Sequence, residues 1–201
     1  MTQRPVRLFS RPILLALALS AAAPTALWAA TASLPEMLPA GSPNTPVESL
    51  DLERYLGTWH EVARLPMFFQ RKCVADTTAR YALRDDSRIT VTNRCRTADK
   101  DFIESQGLAR TTTNAGALEV TFVPSMLTWL PGVWADYWVI DLDPNYRWAV
   151  VGGPSQGALW VLSREATMDE ALLMRIKQRA EARGYSLTEW IVAPTPSASE
   201  P

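Results

Sequence analysis

The sequence predicts an all-β protein: an eight-stranded antiparallel barrel in up-and-down order, with one α-helix packed outside it. After residue 56 the chain divides into short segments rich in Val, Ile, Thr, Tyr, Phe and Trp, which favour strands. Short and long connections alternate between them, so tight turns collect at one end and long loops at the other. Eight such strands can close, which removes exposed strand edges and leaves an interior that fits one small ligand.

The strands are separated by turn chemistry. Three breaks are short and contain Asp, Asn, Ser, Gly or Pro, at 84–87, 113–116 and 143–145. Longer connections cover 64–75, 124–133 and 152–157. The predicted strands are 57–63, 76–83, 88–96, 102–111, 117–123, 134–142, 146–151 and 158–163, with a short ninth at 187–192.

One helix is predicted after the eighth strand. Thr167 and Glu170 have the spacing of a capping box, with Thr167 as the N-cap, and Gly184 stands where a helix commonly ends. Leu172, Ile176, Arg179 and Ala180 repeat at helical spacing on one side. This stripe predicts packing against the outside of the barrel, with a partner-binding face as the alternative.

The ends of the chain have a different composition. Residues 1–30 combine three arginines, an apolar run of 11 residues over 13–23, and small residues after it, which is typical of a cleaved secretory signal. Residues 31–50 are rich in proline and predict an extended linker, 51–193 form one domain, and 194–201 predict a disordered tail. The signal places the protein in the bacterial periplasm, and no cysteine lies near the cleavage site to carry a lipid anchor.

Composition excludes several classes of function. The net charge is −1, and acidic and basic residues are interspersed along the chain, so the sequence shows no basic patch of the kind that binds nucleic acid. Two cysteines and one histidine, His60, do not have the spacing of a metal site. In an exported chain, Cys73 and Cys95 favour a disulfide, with two buried free thiols as the alternative.

Three short motifs follow one another in the order that the lipocalin family shows. Gly57-Thr58-Trp59 resembles the family's G-x-W at the start of its first strand. The sequence 142–146 resembles the second signature, although Leu142 and Pro144 depart from it, and Arg164 matches the third. The resemblance covers about 52–192, and the strings "YLGTWHEVAR" and "VVGGPSQGALWVLSR" are similar to the bacterial group. "RKCVA" also resembles apolipoprotein D.

The resemblance implies structural roles for these residues. Trp59 is expected to plug the closed end with Arg164 across its ring, and Gly57 to allow close backbone approach there. Asp143 and Tyr146 belong to the second signature. In antiparallel register, position 95 falls opposite about 76, which brings Cys95 near Cys73.

Alternation along the strands, together with the family analogy, predicts the lining of a ligand cavity. On strand six, Trp138 and Ile140 share one face and Tyr137 and Val139 the other, and the pattern does not settle which is inside. The long loops 64–75 and 124–133 are apolar, which predicts a rim that contacts a ligand or a membrane, with inward packing of the first loop against the top of the barrel as the alternative. The predicted ligand-binding residues are Glu61, Ala63, Met67, Phe68, Phe69, Ala79, Tyr81, Val91, Asn93, Trp129, Trp138 and Ile140.

Three functions compete. The first is binding or carriage of a fatty acid or lysophospholipid, which the resemblance links to membrane maintenance under stress. The second is a cavity enzyme with Glu61 and Tyr81 as an acid–base pair; no Ser/His/Asp set supports catalysis, and no cofactor is implied. The third is docking of the apolar rim on a membrane or on a second copy of the chain, since the resembling group includes dimers. We expect a periplasmic protein that contacts the outer membrane without a lipid anchor.

Overall fold

A computed structural model describes residues 34–194; the predicted signal peptide and almost all of the predicted tail lie outside the described residues. Within them the expected antiparallel barrel with an external helix is confirmed. The elements are α1 Leu52–Tyr55, β1 Gly57–Arg64, β2 Ala75–Leu83, β3 Ile89–Arg96, β4 Phe102–Thr111, β5 Ala117–Thr121, β6 Ala135–Leu142, β7 Trp148–Gly152, β8 Trp160–Ser163, α2 Glu170–Ala182 and β9 Ile191–Val192, with single 3₁₀ turns at Phe68–Gln70 and Ser125–Leu127.

β1 closes the barrel by pairing on both sides. Its first half, Gly57 to His60, pairs with β2, and its second half, His60 to Arg64, pairs with β8. Beyond His60 the β1–β2 pairing stops, and β9 pairs with Ala63 and Arg64 instead. The ninth strand, predicted over 187–192, is only two residues long, Ile191–Val192.

The closed end and the open end are defined by the connections. Tight turns at 84–88, 112–116 and 143–147 lie at the closed end, and the long loops 65–74, 122–134 and 153–159 lie at the open end. The alternation of loop lengths predicts this segregation, and the one exception among the described strands β1–β8 is the short turn 97–101 between β3 and β4, at the open end. At one of the tight turns, Tyr146 adopts a left-handed φ of 59°.

Buried apolar side chains form two layers. The inner layer contains residues from each of the strands β1–β8, which come together only inside a closed barrel. It includes Trp59, Tyr81, Leu118 and Val151. The outer layer lies between the barrel wall and α2, and joins Ile176 of the helix to strand residues such as Val161.

The N-terminus of α2 differs from the prediction. The helix begins at Glu170, and the side chain of Asp169, not Thr167, accepts the hydrogen bond from the backbone N–H of Leu172. Both residue types can cap, and an Asp carboxylate also interacts favourably with the positive end of the helix dipole. Gly184 has φ of 94° and follows the C-cap, as predicted.

The proline-rich segment contacts the barrel from Asn44 onward. The side-chain amide of Asn44 donates to the carbonyl of Gly153, and the backbone N–H of Val47 donates to the carbonyl of Val139. The backbone of Val47 lies where a side chain at Gly116 would stand. This part of the predicted linker is thus held against the wall.

Candidate ligand-binding site in the barrel

The base of the barrel is sealed by Trp59 and Arg164. Trp59 is fully buried, its indole N–H donates to the carbonyl of Tyr55, and the Arg164 guanidinium carbon stands 3.7 Å from its ring centroid. The guanidinium also donates to five backbone carbonyls; the three shortest contacts are to Thr58, Arg54 and Leu56, at 2.9, 2.6 and 3.0 Å. Stacking and hydrogen bonding together fix the chain entering β1, which is a structural role.

Gly57 explains how the arginine comes so close. Its φ is 93°, a conformation that glycine adopts freely, and a Cβ at this position would lie 3.4 Å from Arg164 Nη1. The tight approach and the left-handed backbone both favour glycine at the head of β1.

The remaining signature residues shape a turn at the closed end. The Asp143 carboxylate accepts from the backbone N–H of Asn145 and from the Arg147 guanidinium at 2.8 Å. Partial burial raises the pKa of Asp143, but the hydrogen bonds from Arg147 outweigh it, and the net pKa is lowered. The Tyr146 hydroxyl accepts from the backbone N–H of Asp51, and its ring lies 4.1 Å from the Arg54 guanidinium.

A cluster of tyrosines lies beside Trp59, with the Tyr55 ring centroid 5.1 Å from that of Trp59. The Tyr137 hydroxyl stands 2.8 Å from the hydroxyls of both Tyr55 and Tyr81. Burial raises the pKa of Tyr81 to about 12 and raises the pKa values of Tyr55 and Tyr137 well above 10. These phenols therefore stay protonated throughout the physiological pH range.

The pairing register places four predicted lining residues inside the barrel. Directly opposed residues in antiparallel strands share a face. Trp59 lies opposite Ala79, and Ala79 opposite Asn93; one step lower, Tyr81 lies opposite Val91. All of them therefore face inward with Trp59.

Ala63 points the other way, and its expected inward position is wrong. A bulge between Glu61 and Ala63 shifts the register, so that Glu61 opposes inward Leu162 whereas Ala63 opposes outward Val161. Ala63 packs in the outer layer under α2. A single extra residue reverses the alternation, and a period-two pattern cannot reveal it.

Trp138 and Ile140 also face outward, so the choice of these two as lining residues is wrong. They pack in the outer layer with α2, while Tyr137 and Val139 belong to the inner cluster. Because the helix covers the outer face of β6, both faces of the strand are apolar and alternation carries no information there.

The upper half of the interior is open to solvent. Ile103 opposes buried Cys95 across β3 and β4, and Phe122 covers the inner face of Gly107, where its Cδ1 stands 2.8 Å from the position of a Cβ. These two inward side chains are 40% and 45% exposed. Ser105, opposite inward Asn93, is exposed as well. The pairing of β4 with β5 ends at Leu108 and Thr121, so these inward side chains meet solvent at the mouth of the barrel, where the interior is open.

A polar network crosses the wall near the mouth. Glu61 pairs with Arg64 at 3.0 Å and accepts from the Gln70 side chain at 2.7 Å. Gln70 in turn accepts from the Trp160 indole N–H at 2.9 Å. Burial raises the pKa of Glu61, and the hydrogen bonds from Gln70 and Arg64 partly oppose the shift. The network ties the loop after β1 to β8.

Two hollows border the barrel. One of about 60 Å³ lies where β1 and β2 separate, and it reaches Glu61, Arg64, Thr77 and Ile191. An open groove of about 510 Å³ lies at the closed end, between the segment 47–54 and the turn at 142–146.

The apolar rim residues are exposed at the open end. Phe68, Phe69, Met126 and Trp129 have exposed side chains, whereas Met67 is partly buried against the outer layer. The Phe69 ring lies 6.4 Å from that of Trp160.

A disulfide joins Cys73 to Cys95, as expected for two cysteines in an exported chain, and ties the loop after β1 to β3.

Glu61 and Tyr81, the acid–base pair predicted for a cavity enzyme, do not hydrogen-bond to each other. Glu61 is bonded to Arg64 and Gln70, and the Tyr81 hydroxyl is bonded to Tyr137. Within residues 34–194, no group of His, Cys, Asp and Glu side chains has the arrangement of a metal site. No helix in that same range has the length and apolar character needed to cross a bilayer.

Comparison with known proteins identifies the fold family. Residues 50–195 match a family described as a lipocalin-like domain. The chain belongs to the lipocalin family. Temperature-induced lipocalin-1 from Arabidopsis thaliana is 38% identical over 158 residues, which cover 77% of this chain and 83% of that protein. The outer membrane lipoprotein Blc of Escherichia coli K12 is 34% identical over 157 residues, covering 77% and 84%.

Solved structures with lower identity share the fold of this lipocalin. The cockroach allergen Per a 4 has a TM-score of 0.58 at 20% identity, over 77% of this chain and 94% of that one. Insecticyanin from the tobacco hornworm Manduca sexta has a TM-score of 0.57 at 19% identity, over 79% and 88%. Lipocalins are generally binding and transport proteins for small hydrophobic ligands, and the bacterial relatives are outer membrane lipoproteins.

Proposed function

We propose that this lipocalin binds a fatty acid or a lysophospholipid in the open upper half of its barrel. The observation that carries the proposal is the solvent exposure of inward apolar side chains, Ile103 and Phe122, above a base that is sealed by Trp59. Exposed apolar side chains inside the barrel favour binding of an acyl chain, because binding removes the surface of the chain and of these side chains from water.

The mouth suits the ionised end of such a ligand. The basic residues Arg71 and Lys72 are exposed beside Phe68 and Phe69. A carboxylate or phosphate at the rim would remain hydrated there while it meets these cations, which avoids the free-energy cost of burying a charge. We therefore expect the acyl chain in the lumen and the charged group at the rim.

A tryptophan placed in the lumen tests this proposal. Ser105 faces inward and its neighbour Gln106 faces outward on the same strand, and both are exposed. Ser105→Trp is expected to weaken binding of a fluorescent fatty acid at least about tenfold, because the indole fills the space for the chain. Gln106→Trp is the matched control and should bind as the wild type does.

Two results of the titration count against lumen binding. One is equal affinity in both variants. The other is an absence of binding to wild-type protein for both a fluorescent fatty acid and a lysophospholipid.

A second proposed role is contact between the rim and an anionic membrane surface. Four exposed apolar side chains, Phe68, Phe69, Met126 and Trp129, project at the end that also carries Arg71 and Lys72. Apolar insertion next to basic charge is the combination that anionic lipid surfaces attract. A second copy of the chain is the alternative occupant.

Trp129→Ser separates the two occupants. Loss of sedimentation with phosphatidylglycerol vesicles, with unchanged mass in analytical ultracentrifugation, supports membrane contact. Leu83→Ser is the control, because Leu83 is exposed at the closed end. A wild-type dimer that Trp129→Ser dissociates, or no vesicle binding at all, contradicts the membrane role.

We also propose that the protein is exported and acts in the bacterial envelope, where it supports membrane maintenance under stress. The support is the composition of residues 1–30 and the naming of bacterial relatives as outer membrane lipoproteins. Cell fractionation that recovers the mature protein in the cytoplasm contradicts this location.

A further inference from the structure

Three buried tyrosine hydroxyls at the base of the lumen have one more hydrogen-bond donor than they have hydrogen bonds to one another. Tyr55, Tyr137 and Tyr81 form a chain with two O···O contacts of 2.8 Å each. Each hydroxyl carries one proton and two acceptor lone pairs. Two contacts use two protons, and in every arrangement of the chain one O–H is left over.

No other described group accepts that third proton. Within residues 34–194, the three hydroxyls hydrogen-bond only to one another. A buried donor without an acceptor is unfavourable, because the group has given up its hydrogen bond to water and gained none in return. The free energy falls when an acceptor from outside the chain reaches the cluster.

Two of the three hydroxyl-bearing side chains, those of Tyr81 and Tyr137, lie on barrel strands and face inward. Tyr81 and Tyr137 face inward and keep 6% and 9% of their surface exposed, whereas Tyr55 beneath them keeps 1%. We take Tyr81 and Tyr137, which retain more exposed surface than Tyr55, as the side chains that an entering molecule reaches. Tyr55 can then donate to Tyr137, which leaves the third proton at the accessible end.

The surroundings of the cluster favour a neutral acceptor over a charged one. Its neighbours in the inner layer are apolar side chains, including Val91, Leu118 and Val139. The inward charges above it, Glu61 and Arg64, are paired with each other. An ionised carboxylate at this depth would lose its hydration without gaining a cation.

We propose that the tyrosine cluster binds a neutral oxygen acceptor at the leading end of the ligand: a ketone, ester or hydroxyl oxygen. The inference rests on the proposed binding of an acyl ligand in the lumen and narrows its class. It selects acyl chains or other apolar molecules that carry a neutral oxygen remote from any ionised group, and it disfavours unsubstituted hydrocarbon.

A pair of dyes tests the preference. The ketone 6-propionyl-2-(dimethylamino)naphthalene emits at longer wavelength when its carbonyl accepts a hydrogen bond, and 1,6-diphenylhexatriene has no acceptor. Tyr81→Phe/Tyr137→Phe removes both accessible hydroxyls. We expect this variant to bind the ketone about tenfold more weakly with blue-shifted emission, and to bind the hydrocarbon unchanged. Tyr146→Phe, at the closed-end turn, is the matched control and should bind both dyes as the wild type does.

The outcomes distinguish this inference from the proposed function. Equal losses for both dyes, or no loss for either, overturn the hydrogen bond while fatty-acid binding to the wild type can still stand. Unshifted emission would mean that only a retained water meets the third proton, which also overturns it. If the wild type binds neither dye nor fatty acid, both proposals fail.

Wild-type protein alone offers a check should the double variant not fold. Emission of the bound ketone is expected to match that in an alcohol and not that in an aprotic solvent of similar polarity. Emission typical of an aprotic solvent contradicts the proposal.

Discussion

Arg164 shows how much one side chain can decide at the base of the barrel. Its guanidinium stacks on Trp59 at 3.7 Å and donates to carbonyls of α1 and β1. The planar group satisfies several acceptors at once, which a lysine ammonium cannot do in this geometry. The ring and the carbonyls hold the entry to β1 against the end of β8.

Arg164→Lys is therefore expected to lower the free energy of unfolding by about 2 kcal/mol. Urea denaturation followed by Trp fluorescence measures the change. Arg110→Lys is the control, since Arg110 also lies over an indole, that of Trp134, but its side chain is half-exposed. We expect a change within about 0.5 kcal/mol there; equal effects at both sites would contradict a special role for Arg164.

Individual residues also mark the limit of prediction from sequence. The sequence predicts that five residues face the lumen, and the register places all five inward: Glu61, Ala79, Tyr81, Val91 and Asn93. Their strands keep a regular alternation up to those positions. Their role in ligand binding stays a prediction.

At the scale of elements, α2 is held to the barrel by apolar packing and by buried ion pairs of Arg179 and Arg183 with Asp141. Ile176 is fully buried in the outer layer. Arg179 donates to both carboxylate oxygens of Asp141 on β6, at 2.6 and 2.9 Å. Helical spacing placed both residues on one face of the helix, but only the fold supplies Asp141 as the partner.

Ile176→Ala is expected to cost about 3–4 kcal/mol, because it leaves a cavity between the helix and the wall. Met174→Ala removes a half-exposed side chain from the same helix and should cost less than about 1 kcal/mol. Urea unfolding of both variants measures the difference. Similar costs would show that the helix is not packed as described.

The disulfide is the other connection between elements with a testable effect. Cys73 and Cys95 lie 22 residues apart and join the rim loop to β3. Cys73→Ala/Cys95→Ala is expected to lower the free energy of unfolding by about 3 kcal/mol, since the unfolded chain regains the freedom of that loop. Denaturation of wild-type protein with and without a reductant gives the same comparison. A stability that does not respond to the reductant contradicts the expectation.

The whole molecule depends on keeping its interior phenols protonated. Burial raises the pKa of Tyr81 to about 12, whereas the phenol of an unfolded chain titrates near 10. The stabilisation is therefore complete below pH 10 and is lost as the pH rises through 12, because only the unfolded state releases its protons in that window.

We expect the free energy of unfolding to fall by at least on the order of 2 kcal/mol between pH 10 and pH 12. Absorbance at 295 nm should show the three inner phenols ionising together with unfolding, and not before it. Tyr81→Phe should reduce the dependence on pH. Ionisation of all five tyrosines in the folded state near pH 10 would contradict the buried cluster.

The sequence by itself determined the barrel and its external helix, because strand composition, turn chemistry and helical spacing are local signals. Two cysteines in an exported chain predicted the disulfide, and short motifs that resemble those of the lipocalin family predicted the residues that seal the base. Only the tertiary structure decided which side chains face inward after the bulge between Glu61 and Ala63. The same holds for β6, whose two faces are both apolar because one lines the barrel interior and the other packs against α2. The tertiary structure alone assembled the cluster of Tyr55, Tyr81 and Tyr137, since these residues lie far apart in the chain and meet only when the barrel closes.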